Sequence, residues 1–327
     1  MVTMKDIAEY AGVSKATVSK IINGRDDYIS DATREKVLRL IEEYHYRPNA
    51  LAKGLKIKKT NTIGFILPDI ANPFFPEIAR GIEDIAKNMG FAVVFCDTDN
   101  DPKREKECFS FLKAKMVDGL IFTKALKKSQ FEEYLRGNIP IVVVDRNVEV
   151  TNAQIGKVFV NSEAAIFAST EYLIKRGGRK IAFISAVSSN TFERFDGYCK
   201  ALKKYGIELN MDIVYCGDYD VKTGYSGTKI ILEKTEADGI VCGNDMIATG
   251  ALHAAAEMGK RVPEDIKIIG MDNIYFSQFL TPTLTTVAQP AYEMGRVAAK
   301  MLINHILDGT ELFEQELEYQ LIIRNSA

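Results

Sequence analysis

The chain has 327 residues, 46% of them hydrophobic, and a formal net charge of -2 from 42 Lys/Arg against 44 Asp/Glu. Those numbers exclude a single small core, a disordered chain and a uniformly basic coat for nucleic acid, and they ask for two or three folded domains. No apolar run reaches the length of a membrane-spanning helix.

Residues 3–46 read as three short helices. Thr3 is placed to cap the first, with Asp6 at the capping-box position and an apolar face of Met4, Ile7, Ala8 and Ala11. Gly12 ends it. Ser14 caps the second, whose apolar positions are Val13, Val18, Ile21 and Ile22, and Asn23-Gly24 stops it. Ser30 caps the third, with a stripe of Val37, Leu38, Ile41 and Tyr44. A helix, a glycine turn and a capped helix form a helix-turn-helix. Such a second helix enters the major groove with its N-terminus leading, so its outward residues must be short and able to reach base edges and phosphates. Ser14, Lys15, Ala16, Thr17, Ser19 and Lys20 suit that task; a three-helix bundle without a ligand is the plainer alternative. Residues 1–60 carry 12 basic and 8 acidic residues, and Arg47, Lys53, Lys56, Lys58 and Lys59 follow one another with no acid between. That charge fits a polyanionic partner for this end of the chain, or a solvated linker. The segment 49–56 is a weak fourth helix, since Gly54 costs about 1 kcal/mol relative to Ala in a helix interior.

From Thr62 the period changes. Apolar strands alternate with amphipathic helices: TIGFILP then 75–89, FAVVFC then 102–115, DGLIF then 129–136, and IPIVVVD. A second series runs helix 162–176, KIAFIS, helix 191–205, DIVYC, helix 222–234, DGIVCG, helix 245–258 and IKIIGMD. A late helix, 290–308, and a terminal strand, 315–323, follow. Two such series predict an α/β protein with two doubly wound parallel-sheet lobes. The five cysteines are Cys96, Cys108, Cys199, Cys216 and Cys242; none forms a C-x-x-C pair, and reduced, buried thiols in a cytoplasmic protein are expected. The opening MVTMKDIAEYAG has acids and no apolar stretch of a signal peptide, in keeping with that expectation.

The stretch TMKDIAEYAGVSKATVSKIINGRDDYISDATREKVLRLIEEYHYRPNALAKGL resembles the DNA-binding headpiece of the LacI/GalR family, and the resemblance continues through TNTIGFILPDIANPFFPEIARGIED and the rest of the chain. It implies an effector-responsive transcriptional repressor that binds operator DNA as a homodimer. The core it implies is of the type I periplasmic-binding-protein kind. The headpiece would be 1–47, the hinge helix and linker 48–60, one lobe 61–160 with 290–317, and the other 161–289 with 318–327. By the same resemblance Lys15 and Ala16 are the base-reading pair. Thr17, Ser19 and Asn23 match phosphate-contacting positions, with Thr3, Ser14 and Lys20 beside them. Tyr46, Pro48, Asn49, Ala52 and Leu55 match the hinge, and Leu55 the wedge that kinks the operator in its minor groove. The chain departs from the pattern at Lys20, where Arg is frequent, at Gly54, where Ser is usual, and at Asp26 and Asp27, which add acid near the DNA. It ends at LEYQLIIRNSA without a leucine-heptad tail, so a dimer rather than a tetramer is expected.

A sugar site needs aromatic faces for the ring, carboxylates and amides for its hydroxyls, and Arg as donor, all at the carboxyl ends of strands. Asn72, Phe74 and Phe75 follow the first strand and Asp145 and Arg146 follow IVVVDR. Arg194 follows KIAFIS, Asn244 follows GIVCG, Asp272 follows KIIGM, and Gln289 follows LTTVA. The set resembles the sugar contacts of the ribose-binding members of this group and implies ribose or a similar pentose as effector; Tyr219 is a further aromatic candidate. Each residue singly also fits a cap, a surface ion pair or the core. His45, His253 and His305 are scattered, no catalytic triad or metal spacing appears, and no cofactor is called for, so an enzyme is not expected. A transport receptor would need a signal peptide and no headpiece. A catabolite-control regulator responding mainly to a phosphoprotein is the alternative within the family.

Overall fold

The computed structural model describes residues 2–46, 59–123, 134, 139–145, 155–186 and 192–327. The expected hinge helix, with Pro48, Asn49, Ala52, Gly54 and Leu55, lies outside these residues. So do Arg146 and, Tyr134 apart, the helix expected at 129–136. Two compact units are present, Met1–Thr60 and Asn61–Ala327.

The first unit holds α1 (Met4–Ala11), α2 (Lys15–Ile22) and α3 (Asp31–Glu43). Thr3 and Asp6 form the capping box in both directions, and Gly12, at φ 71°, turns the chain out of α1. The Ser14 hydroxyl accepts the Thr17 N–H at 3.1 Å, which starts α2. Ser30 stands at the start of α3 but makes no side-chain cap; its hydroxyl pairs with that of Thr33 at 2.9 Å instead. Ile7, Ala8, Ala11, Val18, Ile21 and Val37 are buried together, with Met4, Val13, Ile22, Leu40 and Ile41 packed around them. The stripe of α3 is thus Val37, Leu40 and Ile41. Leu38 is turned 100° off that face and is 47% exposed, against expectation. Asp26 is buried and accepts from Arg34 Nε at 2.6 Å, so its charge is matched inside this unit.

The second unit contains two six-stranded sheets. The first has β1 (Thr62–Leu67), β2 (Ala92–Asp97), β3 (Gly119–Phe122), β4 (Ile141–Val144), β5 (Ile155–Val160) and β11 (Glu314–Leu317) in the order β11-β5-β4-β3-β1-β2. All its pairings are parallel. The second has β6 (Ile181–Ala186), β7 (Val214–Gly217), β8 (Gly239–Cys242), β9 (Lys267–Asp272), β10 (Thr285–Ala288) and β12 (Gln320–Ile322) in the order β12-β10-β9-β8-β6-β7. Only β12 runs antiparallel. The central strands β3, β4 and β8 are buried at every residue, as parallel strands covered on both faces must be.

The helices α4 (Phe74–Asn88), α5 (Pro102–Ala114) and α10 (Ala291–Asp308) accompany the first sheet. The second is flanked by α6 (Ser162–Lys175), α7 (Phe192–Lys204), α8 (Val221–Lys234) and α9 (Asp245–Glu257). Close helix pairs rest on glycine. A β-carbon at Gly81 would meet the Tyr292 carbonyl, and one at Gly295 the Ile78 carbonyl, so α4 and α10 touch backbone to backbone. Gly224 and Gly250 do the same for α8 and α9. Ile274, which follows β9, belongs to the first lobe's hydrophobic cluster with Phe74, Phe75 and Met294, and Met246 packs against that cluster.

Three sequence expectations change. The single terminal strand at 315–323 is two strands, one completing each sheet. The strand β5 was missed because Gly156 and Lys157 break its apolar run; Lys157 is buried and pairs with Glu314 of β11 at 2.7 Å. Of the cysteines, all free, only Cys242 is buried; Cys96, Cys108 and Cys199 are half-buried and Cys216 is exposed. No helix among the described residues is long and apolar enough to cross a membrane.

Candidate functional site

On the headpiece, Lys15, Ala16 and Lys20 stand exposed on α2, and Ser14 is exposed at its start. Thr17 and Ser19 are half-buried. Ser14 and Thr17 pair hydroxyl to hydroxyl at 2.9 Å, and Asn23 Nδ2 donates to the Ser19 carbonyl at 2.6 Å. Short polar residues therefore frame the two lysines, and α2 carries no acid. Positive charge and backbone N–H groups at a helix start favour phosphate. Thr3 is committed to its capping box. Tyr46 is half-buried and packs against the headpiece core.

In the second unit, each sheet reverses its strand order beside its first strand, at β1 against β3 and at β6 against β8. Loops leaving the carboxyl ends of neighbouring strands diverge there and leave a crevice. One cavity of about 20 Å³ is lined by Pro68, Asp69, Asn72, Phe74, Phe75, Asn100, Asp145, Arg194, Tyr219, Asn244 and Asp272. Seven of the nine residues expected from sequence lie on it. Gln289 stands behind, its Nε2 donating to Asp272 Oδ1 at 2.8 Å. At about 20 Å³ the cavity clears the roughly 10–15 Å³ that a single water needs, and no more than that.

The local reasons for this convergence are specific. Asn72 accepts the Phe74 N–H at 3.1 Å and turns the chain into α4, whose first two residues set their rings edge to face at 5.3 Å. Asn244 caps α9 by accepting the Ile247 N–H at 2.9 Å. Arg194 is buried, donates from Nη1 to the Gly243 carbonyl at 2.5 Å, and lies over the Tyr219 ring at 5.0 Å. Asp145 and Asp272 have φ values of 71° and 119°. Non-glycine residues held there are strained, and such strain gathers at ligand sites.

The electrostatics follow from burial. Removal from water pulls the Arg194 guanidinium down, but Tyr219, Asp145 and Asp272 outweigh it and hold the group above its ordinary value. Burial pushes the Asp272 carboxyl well above the ordinary range; Arg194 opposes this, while Asp245 and Asp145 add to it. Gln289 Oε1 is buried with no hydrogen-bond partner among the described residues. The site thus offers a cation, carboxylates, amides and aromatic faces, which suits a neutral polyhydroxyl ligand. Among the described residues no group of His, Cys, Asp and Glu is placed to hold a metal ion. Asp69 and Asn100 were missed by sequence reasoning, although both follow strand ends as the expected residues do.

Residues 3–49 match the family described as bacterial regulatory proteins, lacI family, and residues 60–323 match the periplasmic binding proteins and sugar binding domain of that family. The chain is 36% identical over 330 residues to a ribose operon repressor of Halalkalibacterium halodurans, covering 100% of this chain and 97% of that one. It is 38% identical over 310 residues to catabolite control protein A of Priestia megaterium, covering 93% and 92%. A crystal structure of a LacI family transcriptional regulator from Enterococcus faecium with bound ribose is similar at a TM-score of 0.73 and 31% identity, over 81% of this chain and 98% of that one.

Proposed function

The chain belongs to the LacI family of bacterial regulatory proteins, and from that premise we propose that it is an operator-binding repressor released by ribose or a similar pentose. The observation that carries the effector is the convergence of Asn72, Phe74, Phe75 and Asp145 from one lobe with Arg194, Asn244 and Asp272 from the other on a single cavity. Lobe closure then depends on the ligand. The first lobe supplies the aromatic walls, and the second supplies the buried cation and its carboxylate partner. A ligand changes DNA affinity only if it binds two lobe arrangements unequally, and operator must then change sugar affinity by the same factor.

In this reading Lys15 and Ala16 read bases, while Ser14, Thr17, Ser19, Lys20 and Asn23 position α2 on phosphates. Residues 1–47 form the headpiece, 48–60 the hinge, and the two sheets the effector lobes. Operator binding is by a homodimer, and the exposed aromatic patch of Tyr275, Phe276 and Phe279, in ring contact at 5.6 and 5.3 Å, supports a self-association face. The second reading, a catabolite-control regulator answering mainly to a phosphoprotein, rests on the comparable likeness to catabolite control protein A.

Titration of ribose by calorimetry, with and without operator, tests the proposal. Saturable heat that weakens on operator supports an inducer. An absence of heat at millimolar ribose sinks the effector, and tighter binding on operator makes the sugar a co-repressor.

A further inference from the structure

We propose that Asp245 is a positioning residue for the effector cleft: its buried carboxylate holds the turn Asp272–Ile274 so that Asp272 faces the ligand and Ile274 seats on the opposite lobe. The proposal rests on the reading of Asp272 as an effector contact. Asp245 opens α9, immediately after the cavity-lining Asn244, yet does not itself line the cavity. It has no exposed surface. Its Oδ2 accepts the Ile274 N–H at 2.9 Å, and its Oδ1 accepts from the Thr286 hydroxyl at 2.5 Å. That hydroxyl in turn accepts the Asn273 N–H at 3.3 Å. One carboxylate thereby ties α9 to β10 and to the turn leaving β9.

The turn needs holding. Asp272 and Asn273 have φ values of 119° and 55°, both in the region that side chains disfavour, and such geometry persists only where the surroundings over-determine it. Arg324 supplies the other restraint, donating to Asn273 Oδ1 at 2.8 Å and to the Ser277 hydroxyl at 3.2 Å. The strand makes room for the carboxylate: a β-carbon at Gly270 would fall against Asp245 Oδ1. Ile274, whose amide is held, is also a second-lobe residue buried in the first lobe's hydrophobic cluster. Burial pushes the Asp245 carboxyl up to about 7, against the pull of its hydrogen bonds and Arg324. A helix-start acid in water would do for the helix dipole alone. Full burial against two donors from two other elements is what a clamp requires.

Asparagine at 245 retains the shape. Its oxygen accepts the Ile274 N–H, and its amide donates to the Thr286 hydroxyl, which has a lone pair to receive it. Alanine removes both. The full-length chain is compared as wild type, Asp245→Asn, Asp245→Ala and Thr286→Val. Amide hydrogen exchange of the 272–279 segment and ribose calorimetry are the readouts. Asp245→Ala should raise exchange in that segment and weaken ribose by about tenfold or more, Thr286→Val by less, and Asp245→Asn should restore both to within about threefold of wild type. If the alanine variant does not fold, the asparagine and valine variants decide. Wild-type ribose affinity in Asp245→Ala or Thr286→Val, or unchanged exchange at 272–279 in either, overturns the proposal. A wild-type chain that gives no ribose heat removes the effector assignment instead, and the exchange measurement still judges the clamp.

Discussion

Replacing Arg194 by Ala tests the cleft most directly. In the free protein this side chain donates to the Gly243 carbonyl and covers the Tyr219 ring. Those contacts are made without any sugar, so their loss appears first in stability. Stranding the buried Gly243 carbonyl costs about 1–3 kcal/mol, which lowers the melting temperature by a few degrees. Affinity falls through the charge-assisted bonds that the guanidinium makes only to a bound hydroxyl, each worth about 1.5–3 kcal/mol, or roughly 10- to 150-fold. A second effect runs the same way. Arg194 is the main influence opposing the upward push of burial on the Asp272 carboxyl, and without it that group shifts further up and accepts less well. Operator affinity without sugar should stay within about threefold of wild type, because α2 and the residues around it fold in the separate unit Met1–Thr60. Calorimetry with ribose and fluorescence anisotropy with labelled operator read the two sides. Ribose affinity within threefold of wild type, in a variant that melts cooperatively, would refute the reasoning; so would loss of operator binding in the absence of sugar.

Three further outcomes are expected. Asp245 has a folded value of about 7 against an ordinary 3.8, so from about pH 4 to 7 the folded chain keeps a proton that the unfolded chain has lost. The contribution of this group is therefore greatest below that window and falls as pH rises through it, with Asp272 shifted in the same direction; urea midpoints at pH 5 and 7 should show the fall, and Asp245→Asn should make it smaller. Ser14→Ala removes the acceptor for the Thr17 N–H and should cost the headpiece about 1 kcal/mol, read as weaker operator binding with ribose affinity unchanged. If the chain dimerises as proposed, Phe276→Glu should convert that dimer to a monomer in sedimentation and weaken operator binding; a variant that remains dimeric removes the aromatic patch from the interface.

What was legible in the sequence is what local physics decides. Helix starts at Thr3 and Ser14 need only an acceptor three residues from a free N–H, and both formed. Continuous apolar runs marked the buried parallel strands β3, β4 and β8. What failed depends on partners in other elements. Lys157 looks like a solvated end of a strand until Glu314, far along the chain, arrives at 2.7 Å. Asp26 reads as a repulsive charge until Arg34 comes round on α3. The terminal strand cannot be divided from its own residues, since the break at Glu318–Tyr319 reflects which sheet edge each half reaches.

The same distinction runs through the site. The residues expected from a rule about strand ends line one cavity, seven of the nine of them, whereas Asp245 reads only as an acid at a helix start. Its partners, Ile274 and Thr286, come from two other elements. That difference bears on mechanism. Asp145 and Asp272 sit in strained backbone, and each is restrained within its own lobe: Asp145 N–H donates to the Val158 carbonyl at 3.0 Å, and the turn after Asp272 hangs on Asp245 and Arg324. On the proposed reading these two restrained positions would stand ready before a ligand arrives, and little binding energy would go into ordering them. Binding energy is left to act on the one thing not fixed within a lobe, the approach of the two halves across the crevice. That approach is the coordinate on which an effector must discriminate if it is to move an operator equilibrium at all.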